Sequence, residues 1–260
     1  MGKDREGKIP MLKKINESED ILWLSFPALV KFDFLHQGLI LKNKQETLFT
    51  NKNNLKKDLE KSLKIIAENN GPAIYSEQVH KNKSAVLASV NDIKKWDFNS
   101  KYDAFITNQK CVFLTVRVAD CLPIYLIEPD AKAIGLIHAG WRSTILRIVE
   151  NTLEQMYSTF KADIDKMICV IGPGLGKGCF EISEELAILF PPDCQVIENG
   201  SKPRLDLAQV NFKQLVKSGL KTKNISIISE CTHCNPELYY SFRRSANKNQ
   251  RMVAFIGLKG

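Results

Sequence analysis

Three short stretches concentrate the side chains able to do chemistry: Ser76-Glu77-Gln78-Val79-His80, Val118-Ala119-Asp120-Cys121-Leu122-Pro123 and Ile137-His138-Ala139-Gly140-Trp141-Arg142. His80, Cys121 and His138 offer two imidazoles and one thiolate, a workable zinc ligand set. Three protein ligands leave the fourth tetrahedral position open, which is the pattern of a catalytic rather than a structural site. The ligands are 41 and 17 residues apart, a spacing that matches no short-range zinc motif. Taken alone, Cys121 on an apolar strand also reads as a small buried hydrophobe, and each histidine as an ordinary core or surface group. Asp120, beside Cys121, and Glu181 are the carboxylate candidates for orienting a ligand or moving a proton. Cys121 and His138 also make the nucleophile and base of a cysteine hydrolase. His80 separates the two readings, because a metal needs a third ligand and a dyad does not.

Three further motifs carry weaker signals. Cys231-Thr232-His233-Cys234 is a CxxC with an embedded histidine. A structural zinc site needs two more ligands, and no second CxxC supplies them, so a pair of reduced thiols near a turn is the simpler reading and a metal its rival. Gly172-Pro173-Gly174-Leu175-Gly176-Lys177-Gly178-Cys179-Phe180-Glu181 is a glycine-rich loop whose N–H groups and Lys177 suit an anion. It lacks the closing Gly-Lys-Ser/Thr of a P-loop. Tyr239-Tyr240-Ser241-Phe242-Arg243-Arg244 sets arginine forks beside aromatic faces, which suits phosphate or carboxylate and a flat base.

These groups need rigid elements to hold them. Leu55, Leu59, Leu63 and Ile66 recur at helical spacing over Leu55–Asn69. Lys110–Ile127 is rich in β-branched and aromatic residues and reads as strand, turn, strand. Ala133–Ile137 is a short buried strand running into His138, and residues 145–160 form a helix. Met167–Ile171, Ile225–Ile228 and Met252–Leu258 read as strands, Glu184–Phe190 and Leu205–Leu220 as helices. The irregular alternation predicts an α/β or α+β layered sandwich, with a mixed β-sheet and outer helices. Residues 1–20 read as a polar N-terminal extension and 21–260 as one domain.

Composition excludes several classes. Of 260 residues, 44% are hydrophobic and 25% charged, values of a globular chain rather than a disordered or fibrous one. The 37 Lys and Arg exceed the 29 Asp and Glu, for a net charge of +8. The lysines are interspersed with Asn, Glu and Asp as on a solvated face, and no nucleic-acid-binding signature accompanies them, so no nucleic acid partner is expected. No run of 18 apolar residues occurs, so no membrane span is expected. The start of the chain has no secretory h-region. The seven scattered cysteines therefore read as reduced thiols of a cytoplasmic protein.

Taken in order, QVH, DAFIT, ADCLPIYL, HAGWR, GPGLGKGCFEI and YYSFRR with the closing RMVAFIGL resemble the YfiH-type laccase-domain ("polyphenol oxidase") family over about residues 74–260. The resemblance implies a layered sandwich of one domain. It implies a metal held by His80, Cys121 and His138, with zinc expected and copper possible. It also implies activity on purine nucleosides: phosphorolysis of adenosine, inosine, guanosine or methylthioadenosine, and deamination of adenosine. Purine nucleoside and phosphate are then the expected partners of a monomer or homodimer. Arg142, Lys177, Arg243 and Arg244 would anchor phosphate, Gln78 would join the substrate site, and Asp120, Glu181 and Cys121 would be catalytic. Relatives described as peptidoglycan-editing factors, and a fold similar to that of Cys–His toxin deamidases, keep the hydrolase alternative open. Phenol oxidation ranks low, because four histidines are too few for a multicopper centre and blue copper needs its own ligand set. The first third departs from the family pattern. Leu39-Ile40-Leu41-Lys42-Asn43-Lys44 stands where Phe-Ser/Thr-Thr-Arg and Gly-Gly-Val-Ser are usual, and Ser143 follows HAGWR where glycine is usual. Lys42 could replace the charge but not the arginine fork. This departure motivates a third reading, a degenerate paralogue without turnover.

Overall fold

The computed structural model describes residues 11–14 (backbone), 21–42, 49, 51, 53–67, 71–198 and 200–260. Its strands are β1 Met11–Lys14, β2 Leu22–Ser25, β3 Leu35–Ile40, β4 Ala73–Ile74, β5 Ser84–Leu87, β6 Ala104–Thr107, β7 Phe113–Val118, β8 Leu122–Glu128, β9 Ala133–Ala139, β10 Ile168–Ile171, β11 Gln195–Val196, β12 Arg204–Leu205, β13 Ile225–Ile227 and β14 Met252–Leu258. The helices are α1 Pro27–Val30, α2 Leu55–Ala67, α3 Val90–Lys94, α4 Trp141–Ile145, α5 Ile148–Phe160, α6 Glu184–Ala187 and α7 Leu207–Lys217.

The one mixed sheet expected from the sequence is in fact two of six strands each, beside a small β11-β12 pair. Their orders are β1-β2-β3-β14-β7-β4 and β13-β10-β8-β9-β6-β5. Alternate residues of each central strand serve different layers. In β14, Ala254 and Ile256 enter the core between the sheets, while Val253 and Phe255 face outward to pack with Leu59 and Leu63 of α2. In β8, Tyr125 and Ile127 face the central core, and Ile124 and Leu126 face Leu153 and Met156 of α5 and Leu215 of α7. Strands buried on both faces lose the apolar–polar alternation and read as continuous apolar runs. The result is a four-layer α/β/β/α sandwich.

Local sequence explains most boundaries. Asp206 caps α7 by accepting the Gln209 N–H at 2.9 Å, so the helix begins two residues after the expected Leu205, which belongs to β12. The helix expected over residues 145–160 is broken between α4 and α5, where Arg147 takes a left-handed conformation (φ 60°). Met11–Lys14 pairs antiparallel with Leu22–Ser25, so this part of the N-terminal extension joins a sheet edge. The rest of residues 1–20 lies outside the described residues. Leu39 and Ile40 belong to β3, and the Lys42 Nζ donates to the Pro236 carbonyl at 3.3 Å. The lysine thus ties the strand end to the segment before Tyr239, and Asn43 and Lys44 lie outside the described residues. Among the described residues no helix is long and apolar enough to cross a membrane.

Candidate metal centre and active-site cavity

The three expected ligands converge. The ligand atoms of His80, Cys121 and His138 all lie within 4.8 Å of one another. Cys121 Sγ is 3.9 Å from His80 Nε2, and the two imidazoles meet nearly edge to face with centroids 4.8 Å apart. His138 sits in β9 opposite Pro123 of β8, and Cys121 directly precedes β8. His80 follows β4 in a left-handed conformation (φ 57°), which is uncommon for a residue with a Cβ.

Asp103, fully buried before β6, fixes the other two segments around it. Its carboxylate accepts the backbone N–H groups of Val79, His80 and Lys81 at 3.2, 3.0 and 2.8 Å. It also accepts His138 Nδ1–H at 2.9 Å, while its backbone carbonyl accepts the His138 N–H at 2.7 Å. With Nδ1 committed, the Nε2 lone pair of His138 is left for a metal, the usual carboxylate–histidine arrangement. Gly140 completes the fit, since a Cβ there would stand 2.9 Å from His80 Cδ2 and 3.0 Å from Cys121 Sγ. Donor chemistry and approach together suit a metal with one open position.

The electrostatics favour ligand-ready thiol chemistry. Burial raises the Cys121 thiol, but His138 and His80 outweigh burial and bring it down to about 6. Burial lowers His138, but the Cys121 thiolate and the Asp103 carboxylate outweigh it and bring the imidazole up to about 9. Burial likewise raises Asp103, and the His138 and backbone hydrogen bonds more than reverse this, holding its carboxyl below the usual range. Alkylation needs the thiolate. In chelator-treated protein, iodoacetamide labelling of Cys121, located by peptide mass mapping, is therefore expected to rise with pH through a midpoint near 6. A midpoint near the ordinary thiol value of about 8.5 would remove the thiolate–imidazolium pair.

Around the centre lies a cavity of about 400 Å³, lined among others by Gln78, Arg117, Asp120, Trp141, Phe180 and Arg251. Of the expected substrate residues, Gln78, Arg142 and Arg243 line it, whereas Lys177 and Arg244 do not, and neither does the expected catalytic Glu181. Lys177 lines a separate depression beside α7. Glu181 is exposed and bridges by its backbone to Arg204. Arg244 is spent on structure, its guanidinium donating to the carbonyls of Thr232, His233 and Tyr239 at 2.7, 2.6 and 2.6 Å. Gln78 lines the wall, but both ends of its amide clamp the Arg117 backbone at 2.8 Å, so it positions Arg117. Asp120 is also committed. It accepts the Thr232 hydroxyl at 2.6 Å and the Arg243 N–H at 2.7 Å, in a left-handed conformation (φ 84°). That makes it a fastener of the cavity rim rather than a free proton carrier.

Arg117 and Arg251 were not expected, and they are the half-buried arginines of the cavity lining, where Arg142 and Arg243 are exposed. Burial, and then Arg251, hold Arg117 below its ordinary guanidinium value. Its Nε is buried without a hydrogen-bond partner among the described residues. Arg142 stacks on Trp141 at 4.0 Å and Arg243 lies 5.8 Å from the Phe180 ring centroid. The sequence signal for Arg117 was a charge inside an otherwise apolar strand, and that for Asp103 was its place in DAFIT, the stretch between two ligands.

Fold and site together define a layered sandwich with an open His–Cys–His centre beside an arginine-rich cavity. A family model described as multi-copper polyphenol oxidoreductase laccase matches residues 32–259, and the chain belongs to this family. A Bacillus subtilis protein named purine nucleoside phosphorylase YlmD is 32% identical over 163 residues, covering 60% of this chain and 59% of that one. A Staphylococcus epidermidis purine nucleoside phosphorylase is 31% identical over 196 residues, covering 72% and 73%. A protein named adenosine deaminase RL5, from an unknown prokaryotic organism, is 31% identical over 149 residues, covering 55% and 56%. This chain thus spans less than two thirds of the YlmD and RL5 lengths. In fold, the crystal structure of Geobacillus stearothermophilus YlmD aligns with a TM-score of 0.80 at 23% identity, covering 96% of this chain and all of that one.

Proposed function

We propose that this chain is a zinc-dependent purine nucleoside enzyme that carries out phosphorolysis and adenosine deamination. One observation carries the reading: the His80–Cys121–His138 cluster, the incompletely paired Arg117 and the aromatic rings of Trp141, Phe180 and Phe242 all face one cavity. Its volume lies in the range of small-molecule sites. The relatives named as phosphorylases and a deaminase support the substrate class. Bound through His80, Cys121 and His138, zinc would supply Lewis acidity at the open coordination position.

The chain's own residues do the rest. In phosphorolysis a phosphate oxygen bonds to the ribose C1′ while the glycosidic C–N bond breaks and the base leaves with the electron pair. Arg117 and Arg251 hold the dianion by charge-assisted hydrogen bonds, and Arg142 adds a third cation at the mouth. Aromatic faces hold the flat base. Asp103 keeps His138 in one tautomer, and the clamp of Gln78 on Arg117 fixes the anion site. In deamination the oxygen of water bonds to the purine carbon that bears the amino group while that C–N bond breaks and ammonia leaves; no phosphate is needed, so the arginines separate the two reactions. Arg117→Met is expected to lower kcat/KM for phosphorolysis of inosine by about 10- to 100-fold, the worth of a charged hydrogen bond, and to leave adenosine deamination within a few-fold. Equal loss of both reactions would place phosphate elsewhere.

A second reading rests on the thiolate–imidazolium pair itself, which is also what a cysteine nucleophile needs. It treats Cys121 and His138 as a hydrolase dyad. His80→Ala would leave a dyad working and disable a metal centre.

A further inference from the structure

The fold resolves the half-site Cys231-Thr232-His233-Cys234. A further sulfur arrives from 55 residues upstream, where Cys179 Sγ lies 3.4 Å from Cys234 Sγ. The ligand atoms of Cys179, His233 and Cys234 all lie within 4.8 Å of one another; Cys231 stands outside this group, with its side chain beside the other two thiols, so a small rotation must bring it in as the fourth ligand. Tetrahedral zinc with Zn–S bonds of about 2.3 Å sets its sulfurs roughly 3.8 Å apart. The observed 3.4 Å falls within a few tenths of this and far outside a disulfide bond of about 2.05 Å.

Both backbones are already shaped for the purpose. Gly176 N–H donates to Cys231 Sγ at 3.2 Å, the kind of outer hydrogen bond that orients a ligand. A Cβ at Gly176 would stand 2.9 Å from Cys231 Cβ, so only glycine lets the loop approach. Thr232 N–H donates to the Gly174 carbonyl at 2.9 Å, and Arg244 grips the carbonyls of Thr232 and His233 from behind.

We propose that Cys179, Cys231, His233 and Cys234 form a closed Cys₃His zinc site, distinct from the catalytic centre, that fastens the glycine-rich loop to the segment running to Arg244. Four protein ligands leave no open position, which makes the site structural, and a thiolate-rich set selects zinc over hard cations. The two joined segments supply Leu175, Phe180, Phe242 and Arg243 to the cavity wall, so the second metal would set the shape of that wall. The inference stands whether or not the cavity turns over nucleosides.

The test is metal analysis of the full chain purified without chelator, under reducing conditions. Wild type should hold two zinc ions per chain, Cys121→Ala one, and Cys121→Ala/Cys179→Ser/Cys234→Ser none, while Cys121→Ala/Cys111→Ser keeps one. Should the triple variant fail to fold, alkylation of Cys121→Ala serves instead: zinc should protect Cys179, Cys231 and Cys234, and a chelator should expose them. A Cys121→Ala protein that holds no zinc and binds none on titration with Zn²⁺ after reduction overturns the proposal. So does a Cys179–Cys234 disulfide in the reduced preparation, or zinc that persists in the triple variant.

Discussion

Replacing Cys121 by alanine is expected to empty the His80–Cys121–His138 centre and to remove phosphorolysis and deamination together. The thiolate is the one anionic ligand, and two neutral imidazoles alone hold zinc poorly. Lewis-acid assistance is worth several kcal/mol in the transition state, so the loss should reach about 10³-fold or more. Steady-state assays of adenosine and inosine, run beside metal analysis of the same preparation, check it. Turnover surviving in a protein without metal at this centre would discard the metal mechanism. Activity lost in Cys121→Ala but kept in His80→Ala would instead identify the hydrolase dyad.

Asp103 is expected to show the largest combined effect on stability and metal affinity. It is fully buried and ties the 79–81 turn and the end of β9 to the start of β6 by accepting four hydrogen bonds, one from His138 and three from Val79, His80 and Lys81. Asp103→Ala leaves those donors buried without an acceptor and strands the His138 imidazolium. Removing one partner of a buried pair costs about 3–5 kcal/mol, which urea unfolding will show as a lower midpoint. Asp103→Asn keeps the volume, but its amide presents a donor where the carboxylate accepted. Zinc affinity at the catalytic centre should then fall about 10- to 100-fold, the usual effect of a lost supporting carboxylate. Chelator competition on the purified variant measures this, and an unchanged affinity would show that Asp103 serves folding alone.

The convergence of His80, Cys121 and His138 was legible because their residue types are scarce. Four histidines and a few motif cysteines leave little choice, and the resemblance put them in order. The layered architecture was legible from apolar runs, but its division into two sheets was not. That division depends on β14, at the end of the chain, lying between β3 and β7, a pairing that no local pattern encodes. Lys177 and Arg244, expected at the substrate site, lie off the cavity lining for opposite reasons. The glycine-rich loop turns its lysine away from the centre, and Arg244 has its donors filled by main-chain carbonyls. Arg117 was passed over because a charge within VFLTVRV looks like an interruption of a strand, whereas the residue lines the cavity. Asp103 was hidden in an apolar block, where a carboxylate needs partners drawn from 22 to 35 residues away.

The distribution of the three ligands has a thermodynamic consequence. One comes from a turn after β4, one from the junction of β7 and β8 and one from inside β9, so these three residues make no ready chelate in the unfolded chain, unlike the local Cys231-Thr232-His233-Cys234 group. The ion can be captured only after both sheets have closed. Binding to the native state and not to the unfolded one adds RT ln(1 + [M]/Kd) to folding stability. With the centre loaded as proposed, the supply of metal would become one of the variables that decide what fraction of the chains stays folded.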